Sequence, residues 1–340
     1  MRKRVEIILL VLVITAIIAG IHIYITFYTP ASREGGVKVV NIQKGASFRV
    51  VAANLEKAGI IRSSGSLVLA ANLLGANKKA KAGEYEFSPA MTPMEVLEVL
   101  IKGRVKRHLV TIPEGFNIQE VASVLGEKGL VDEKEFLSKA ADAKFVASLG
   151  LEGQTLEGYL FPDTYELTKG MGADEIIVKM VEKFKSVYSA EFGGAARSRG
   201  LSTSKVITLA SIIEKETGAP EERELISAVI YNRLKKGIKL QSDPTVIYGI
   251  SGFDGNLTRR HLAAKTPYNT YVIYGLPPGP IANPGKASIK AALNPANEDY
   301  LYFVSKNDGT HYFSRSLKEH NKAVHQFQKQ MLAGPSGKKS

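Results

Sequence analysis

Arg2-Lys3-Arg4 is followed, after Val5 and Glu6, by a run from Ile7 to Tyr28 that contains no Asp, Glu, Lys or Arg. Nothing else in the chain restricts its fold so tightly. A stretch of this length crosses the roughly 30 Å of bilayer hydrocarbon only as a helix, because its backbone N–H and C=O groups must be satisfied within the segment. A cleaved signal peptide would have a shorter apolar core and a small-x-small site. Here Tyr24, Phe27 and Tyr28 form an interfacial aromatic girdle before Pro30, so the span is expected to be retained. The basic cluster on its N-terminal side is expected to hold the short tail in the cytoplasm and place everything after Pro30 outside.

That topology decides how a net charge of +12 is read. Nucleic acid is not the expected partner of a domain outside the cytoplasm. Lys102, Arg104, Lys106 and Arg107 are expected to face phospholipid headgroups or an acidic cell-wall polymer, or to form an ordinary solvated face.

With 340 residues, 44% of them hydrophobic, the chain can bury full cores and is expected to divide into two or three domains. It contains no cysteine, which removes disulfides, thiol nucleophiles and cysteine-ligated metals. Its six histidines show no metal-binding spacing, and no metal or cofactor is expected. The glycine loops of nucleotide enzymes and the Gly-x-Ser-x-Gly elbow of serine hydrolases are absent too.

A repeat follows the linker. Ile42-Gln43-Lys44-Gly45 with Phe48, Val51, Ala52, Leu55, Gly59, Ile60 and Ile61 recurs as Ile112-Pro113-Glu114-Gly115 with Ile118, Val121, Ala122, Leu125, Gly129, Leu130 and Val131. Each copy has the i, i+3, i+4, i+7 stripe of an amphipathic helix after a short strand and a glycine turn, so two similar small α+β units are expected. Between them Ala82 to Phe87 reads as a strand, and Thr92 to Ile101 as a helix with Gly103 beyond its end.

The candidate chemistry lies further on, in a helix expected from Ser204 to about Glu214, with Ser204 as N-cap and Gly218 past its end. Glu214 lies four and seven positions after Ala210 and Ile207, in line with an apolar stripe and near the negative end of the helix dipole. Both effects push a carboxyl pKa upward, as a general acid requires. Glu216 lies about 200° around the helix and is expected to point away.

The segment Glu157 to Tyr165 is aromatic and turn-rich and reads as a cleft rim or domain junction. Helices are expected from Asp174 to about Ala190 and from Pro220 to Lys236, and another capped by Asp243 with Pro244 first. Gln241 and Ser242 lie on the approach to that cap. The loop Thr266 to Tyr271 offers amide and phenol groups suited to a saccharide. A hairpin around Asn307-Asp308-Gly309 and a helix through about Met331 are expected to close the chain.

Leu209-Ala210-Ser211-Ile212-Ile213-Glu214-Lys215-Glu216-Thr217, Tyr231-Asn232-Arg233-Leu234, Leu240 to Gly249, Tyr268-Asn269-Thr270-Tyr271 and Gly275-Leu276-Pro277-Pro278-Gly279-Pro280-Ile281 together resemble the YceG-like endolytic murein transglycosylases. The first repeat copy also resembles the LysM module that binds peptidoglycan glycans. The resemblance implies an α+β protein with residues 1–6 as a cytoplasmic tail, 7–28 as the transmembrane helix, 29–37 as linker and 38–106 as a LysM-like subdomain. The catalytic domain, with mixed helices and strands, would span 107–334 and hold the second repeat at 107–150; 335–340 would be a flexible tail.

The implied reaction is cleavage of peptidoglycan strands between N-acetylmuramic acid and N-acetylglucosamine, leaving 1,6-anhydro ends. The resemblance puts the catalytic glutamate at Glu214. Substrate contacts are expected at Gln241, Ser242, Asp243, Tyr268, Asn269 and Tyr271. The expected partners are glycan strands and the lipid bilayer, with peptidoglycan synthases as further candidates, at the cell membrane. Two alternatives stay open: a hydrolytic muramidase that uses Glu216 or Asp243 to hold water, and a non-catalytic wall-binding scaffold.

Overall fold

The computed structural model describes residues 2–329, so the tail expected at 335–340 and the end of the helix expected through Met331 lie outside the described residues. The chain forms two compact units. The first takes the chain up to Leu109 together with Glu166–Gly172; the second takes Val110–Tyr165 and the chain from Ala173 onward.

In the first unit α1 (Arg2–Tyr28) is a single apolar helix, long enough to cross a membrane. Then come β1 (Lys38–Ile42), α2 (Phe48–Lys57), α3 (Ser64–Leu73), β2 (Gly83–Phe87) and α4 (Pro93–Lys102). β1 and β2 pair antiparallel from Lys38↔Phe87 to Ile42↔Gly83, and the helices cover them over a core that includes Leu55, Leu67, Tyr85, Leu97 and Leu100. α4 has both signals expected of it. Thr92 and Glu95 form a reciprocal capping box, and Gly103 ends the helix in the left-handed region at φ 61°.

The second copy of the repeat follows the first with one helix added before its second strand. β3 (His108–Thr111), α5 (Ile118–Glu127), α6 (Glu133–Ala140) and α7 (Ala143–Ser148) lead to β4 (Thr164–Leu167), which pairs with β3. Ser47 caps α2 and Asn117 caps α5, each side chain accepting a backbone N–H of the first turn. The same offsets are buried in both copies: Phe48, Val51, Ala52 and Leu55 in one, Ile118, Val121, Ala122 and Leu125 in the other.

The rest of the second unit is mostly helical: α8 (Ala173–Glu191), α9 (Gly193–Ser198), α10 (Thr203–Glu216), α11 (Arg223–Lys235), α12 (Asp243–Tyr248), α13 (Arg259–Ala263) and α14 (Lys286–Leu293). The hairpin β5 (Tyr302–Ser305) and β6 (His311–Ser314) and the helix α15 (Leu317–Val324) close it. α10 is the axis of this unit. Every residue from Val206 to Ile213 is buried, against Ile226 and Ile230 of α11, Ile289 and Ala292 of α14, and Phe184 and Tyr188 of α8.

Three expectations are corrected here. Ser202, not Ser204, caps α10, accepting the Lys205 N–H. Gly218 forms no left-handed stop; Thr217 ends the helix in extended backbone, and a Cβ on Gly218 would lie 2.5 Å from the Gly309 carbonyl oxygen, so glycine is needed there for a close approach. Of the two readings of Glu157–Tyr165, the rim does not hold, since Glu157, Tyr159, Leu160 and Phe161 are buried, while a boundary between the two units does fall directly after Tyr165.

Candidate active site

α10 ends with two acids that face different surroundings. Because the helix is buried all round from Val206 to Ile213, the stripe through Ile207 and Ala210 does not single out one inward face. Both carboxyls are enclosed, by different groups.

Glu214 stitches helices together. Its side chain is 8% exposed; one oxygen lies 3.6 Å from the Arg223 guanidinium of α11 and the other accepts the backbone N–H of Gly285, at the start of α14, at 2.9 Å. Glu114, from the second repeat copy, crowds the same place, and a Cβ on Gly285 would lie 1.8 Å from its carboxyl. Burial, and then the charge of Glu214, push the Glu114 carboxyl above its usual range, with Arg223 opposing.

Glu216 faces a cavity of about 420 Å³ lined also by Arg233, Gln241, Ser242, Asp243, Tyr271 and Tyr302. Ser242 Oγ donates to Glu216 Oε1 at 2.6 Å. Burial raises the Glu216 carboxyl, the Ser242 bond opposes this, and nearby Asp243 raises it further, while His311 and Arg233 pull it back. Opposite, Tyr271 O–H donates to Asp243 Oδ1 at 2.6 Å. Arg233 forms the positive wall: it donates to the Leu240 and Leu301 carbonyls at 2.8 and 2.6 Å and lies 5.0 Å from the Tyr302 ring centroid. Burial lowers its pKa.

The entry to α12 is shaped for this arrangement. Gln241 has φ 50°, a left-handed conformation rare for a residue with a side chain. Its N–H is held by the Thr270 carbonyl at 3.1 Å, and the Ser242 N–H by Thr270 Oγ1 at 3.0 Å. Asp243 is the first residue of α12 rather than its cap, and Ser242, in the capping place, gives its hydroxyl to Glu216 instead. Strain of this kind persists where the surroundings over-determine it, as they do at functional sites.

Of the expected site residues, the structure therefore brings Gln241, Ser242, Asp243 and Tyr271 together around Glu216, and it takes Glu214 elsewhere. Tyr268 and Asn269 are not among the residues that line the cavity. The Tyr268 ring packs 4.8 Å from that of Tyr248, and the fully buried Asn269 amide donates to the carbonyls of His261, Leu262 and Ala264 at 3.2, 3.1 and 2.7 Å, which holds the loop that presents Tyr271. Arg233 and Tyr302 went unassigned in the sequence. Arg233 stood within a recognised motif, but nothing local ties Tyr302 to a helix end 86 positions earlier.

The chemistry such a cavity can perform is proton transfer to an acid-labile bond. A carboxyl raised by burial is a stronger proton holder than a free one; it can deliver its proton to such a bond and then act as base once ionised.

Residues 40–326 match the YceG-like family. The chain is similar to the endolytic murein transglycosylase of Bacillus subtilis strain 168, with 32% identity over 92% of this chain and 91% of the relative. It is also similar to the endolytic murein transglycosylase of Streptococcus pneumoniae strain D39, with 28% identity over 84% of this chain and 57% of that longer protein. A crystal structure of a yceG-like protein from Listeria monocytogenes has a TM-score of 0.60 at 33% identity, covering 85% of this chain and all of the other.

Proposed function

The chain belongs to the YceG-like family, and on that premise we propose that it is a membrane-anchored murein transglycosylase in which Glu216 is the acid and the base. The enzyme cleaves the bond between N-acetylmuramic acid and N-acetylglucosamine within peptidoglycan strands. Ordinary glycosidases need two carboxyls, one as acid and one as nucleophile or base. A lytic enzyme needs one, because the muramic acid's own C6 hydroxyl attacks the anomeric carbon. Glu216 gives its proton to the leaving glycosidic oxygen, and as a carboxylate it then takes the proton of the C6 hydroxyl as the 1,6-anhydro ring closes. The observation that carries this reading is the Glu216 carboxyl, raised by burial, fixed by Ser242 and facing the cavity that Gln241, Asp243 and Tyr271 also line.

α1 anchors the enzyme with its N-terminus in the cytoplasm and the rest of the chain outside, where the enzyme acts on new strands at the outer face of the membrane and limits their elongation. The first unit, as a LysM-like module, holds the glycan. Glu216→Gln keeps the shape and removes the proton, so release of anhydro-muropeptides from purified peptidoglycan should fall by on the order of 10² to 10⁴ with the melting temperature little changed. Glu214→Gln should retain much of the activity and lose stability instead, because Arg223 is left without its counter-charge. Full turnover by folded Glu216→Gln would overturn the assignment. Asp243 in the same cavity favours one second reading, a hydrolase that uses it to hold water. Product masses separate the two, since anhydro ends are lighter than reducing ends by one water.

A further inference from the structure

The first unit carries an apolar surface that its own core does not use, at the end of α3 beside the outer end of α1. Leu69, Leu73 and Leu74 are 50%, 74% and 52% exposed. Leu73 and Leu74 line a shallow apolar cleft of about 170 Å³ with Ala70, Met94 and, from α1, Ile23, Phe27 and Tyr28. A second groove of about 510 Å³ continues it along α4, past Met94, Leu97 and Ile101. Since this surface lies beside α1 within one compact unit, its level along that helix is known: it meets residues 23–28.

The groove along α4 carries Glu95 and Glu98 beside Lys102, but the chain around Leu73 and Leu74 is basic. Between Glu56 and Glu84 the chain contains no Asp or Glu, while Lys57, Arg62, Lys78, Lys79 and Lys81 all fall there. Lys78, Lys79 and Lys81 are exposed and follow Leu73-Leu74-Gly75 after Ala76 and Asn77. Lys102 also borders the groove but is ion-paired with Glu98.

We propose that this surface docks on the bilayer: Leu73 and Leu74 enter the headgroup–acyl boundary beside α1, and Lys78, Lys79 and Lys81 meet anionic headgroups. The proposal rests on the reading of α1 as a span. If hydrocarbon takes about 20 residues of α1 from Ile7 onward, it ends near Thr26, so Ile23 lies just inside its outer edge and Phe27 and Tyr28 stand at the interface. The stacked Tyr24 and Tyr28 rings belong at that depth. A surface packed beside those residues meets lipid with no further movement, and exposed leucines followed within a few residues by exposed lysines match the apolar and anionic layers of the interface. The occupant is therefore lipid rather than glycan, which offers no apolar layer to exposed leucine. The arrangement would hold the first unit against the membrane in place of a free swing on the linker.

The chain has no tryptophan, so single substitutions report their own surroundings. Full-length Ile23→Trp, Leu73→Trp and Val39→Trp variants would be placed in nanodiscs of phosphatidylcholine and phosphatidylglycerol, with and without brominated acyl chains. Val39 lies on β1 and is 49% exposed. Leu73→Trp should emit at blue-shifted wavelengths and lose about half or more of its intensity in brominated lipid, as Ile23→Trp does, while Val39→Trp is unchanged. Quenching of Ile23→Trp without Leu73→Trp would overturn the docking surface and leave the span intact. If neither is quenched, the span reading falls and the docking surface with it. Changing Lys78, Lys79 and Lys81 together to Glu should reduce quenching at position 73 in phosphatidylglycerol discs and not in phosphatidylcholine alone. Equal quenching in both would overturn the headgroup contact.

Discussion

Glu157 is 2% exposed, yet its bonds only half satisfy it: Oε2 accepts the Tyr248 hydroxyl at 3.0 Å and the Ile118 N–H at 3.3 Å, and Oε1 has no partner among the described residues. Burial pushes its carboxyl up to about 7 from 4.5. Between those values the folded chain holds a proton that the unfolded chain has released, so stability falls as pH rises through this window and levels off above it. The loss is about 3 kcal/mol for a shift of this size. Chemical denaturation from pH 5 to 8 should show the decline, and Glu157→Gln should make it shallower; a flat wild-type profile would contradict the assignment. Position in sequence does not reveal such a residue. Glu157 sits among turn-forming neighbours, and only the packing of Tyr248 and α5 around it takes its carboxylate out of water. The same limit applies to the acids of α10. Their separation around the helix could be read from spacing, but which one meets a cavity depends on Ser242 and Arg233, brought in from elsewhere in the chain.

Elements built from local signals were the most legible. The capping box and glycine stop of α4, and the paired stripes of α2 and α5, are written in adjacent residues and recur as read. Gly158, in the loop after Glu157, shows what is not local. It has φ 86°, and a Cβ there would lie 2.6 Å from Ile207 Cγ2 of α10 and 2.7 Å from Pro280 Cβ. Gly158→Ala combines backbone strain with overpacking and should cost about 2–4 kcal/mol, read as a lower unfolding midpoint. Gly194, in α9, has ordinary backbone and open space where a Cβ would go. Gly194→Ala should stabilise by about 0.5–1 kcal/mol in the same measurement, which makes it the control.

At the scale of the whole molecule, the first unit borrows Glu166–Gly172 from far along the chain, where Lys169 pairs with Glu84 at 2.8 Å and Arg107 meets Glu166 at 2.5 Å. No composition change marks this excursion, so a division of the sequence into consecutive blocks does not capture it. A protein that keeps α1 but lacks 38–106 should co-sediment less with peptidoglycan sacculi, and unchanged binding would leave the unit no glycan role. The excursion also sets an order of events on the ribosome. The chain up to Leu109 emerges first but cannot be completed until Gly172 follows, with α5, α6 and α7 already out. Birth order and finishing order thus differ: a nascent chain arrested between Leu109 and Glu166 would hold its earliest unit open to proteases, and release past Gly172 would close it.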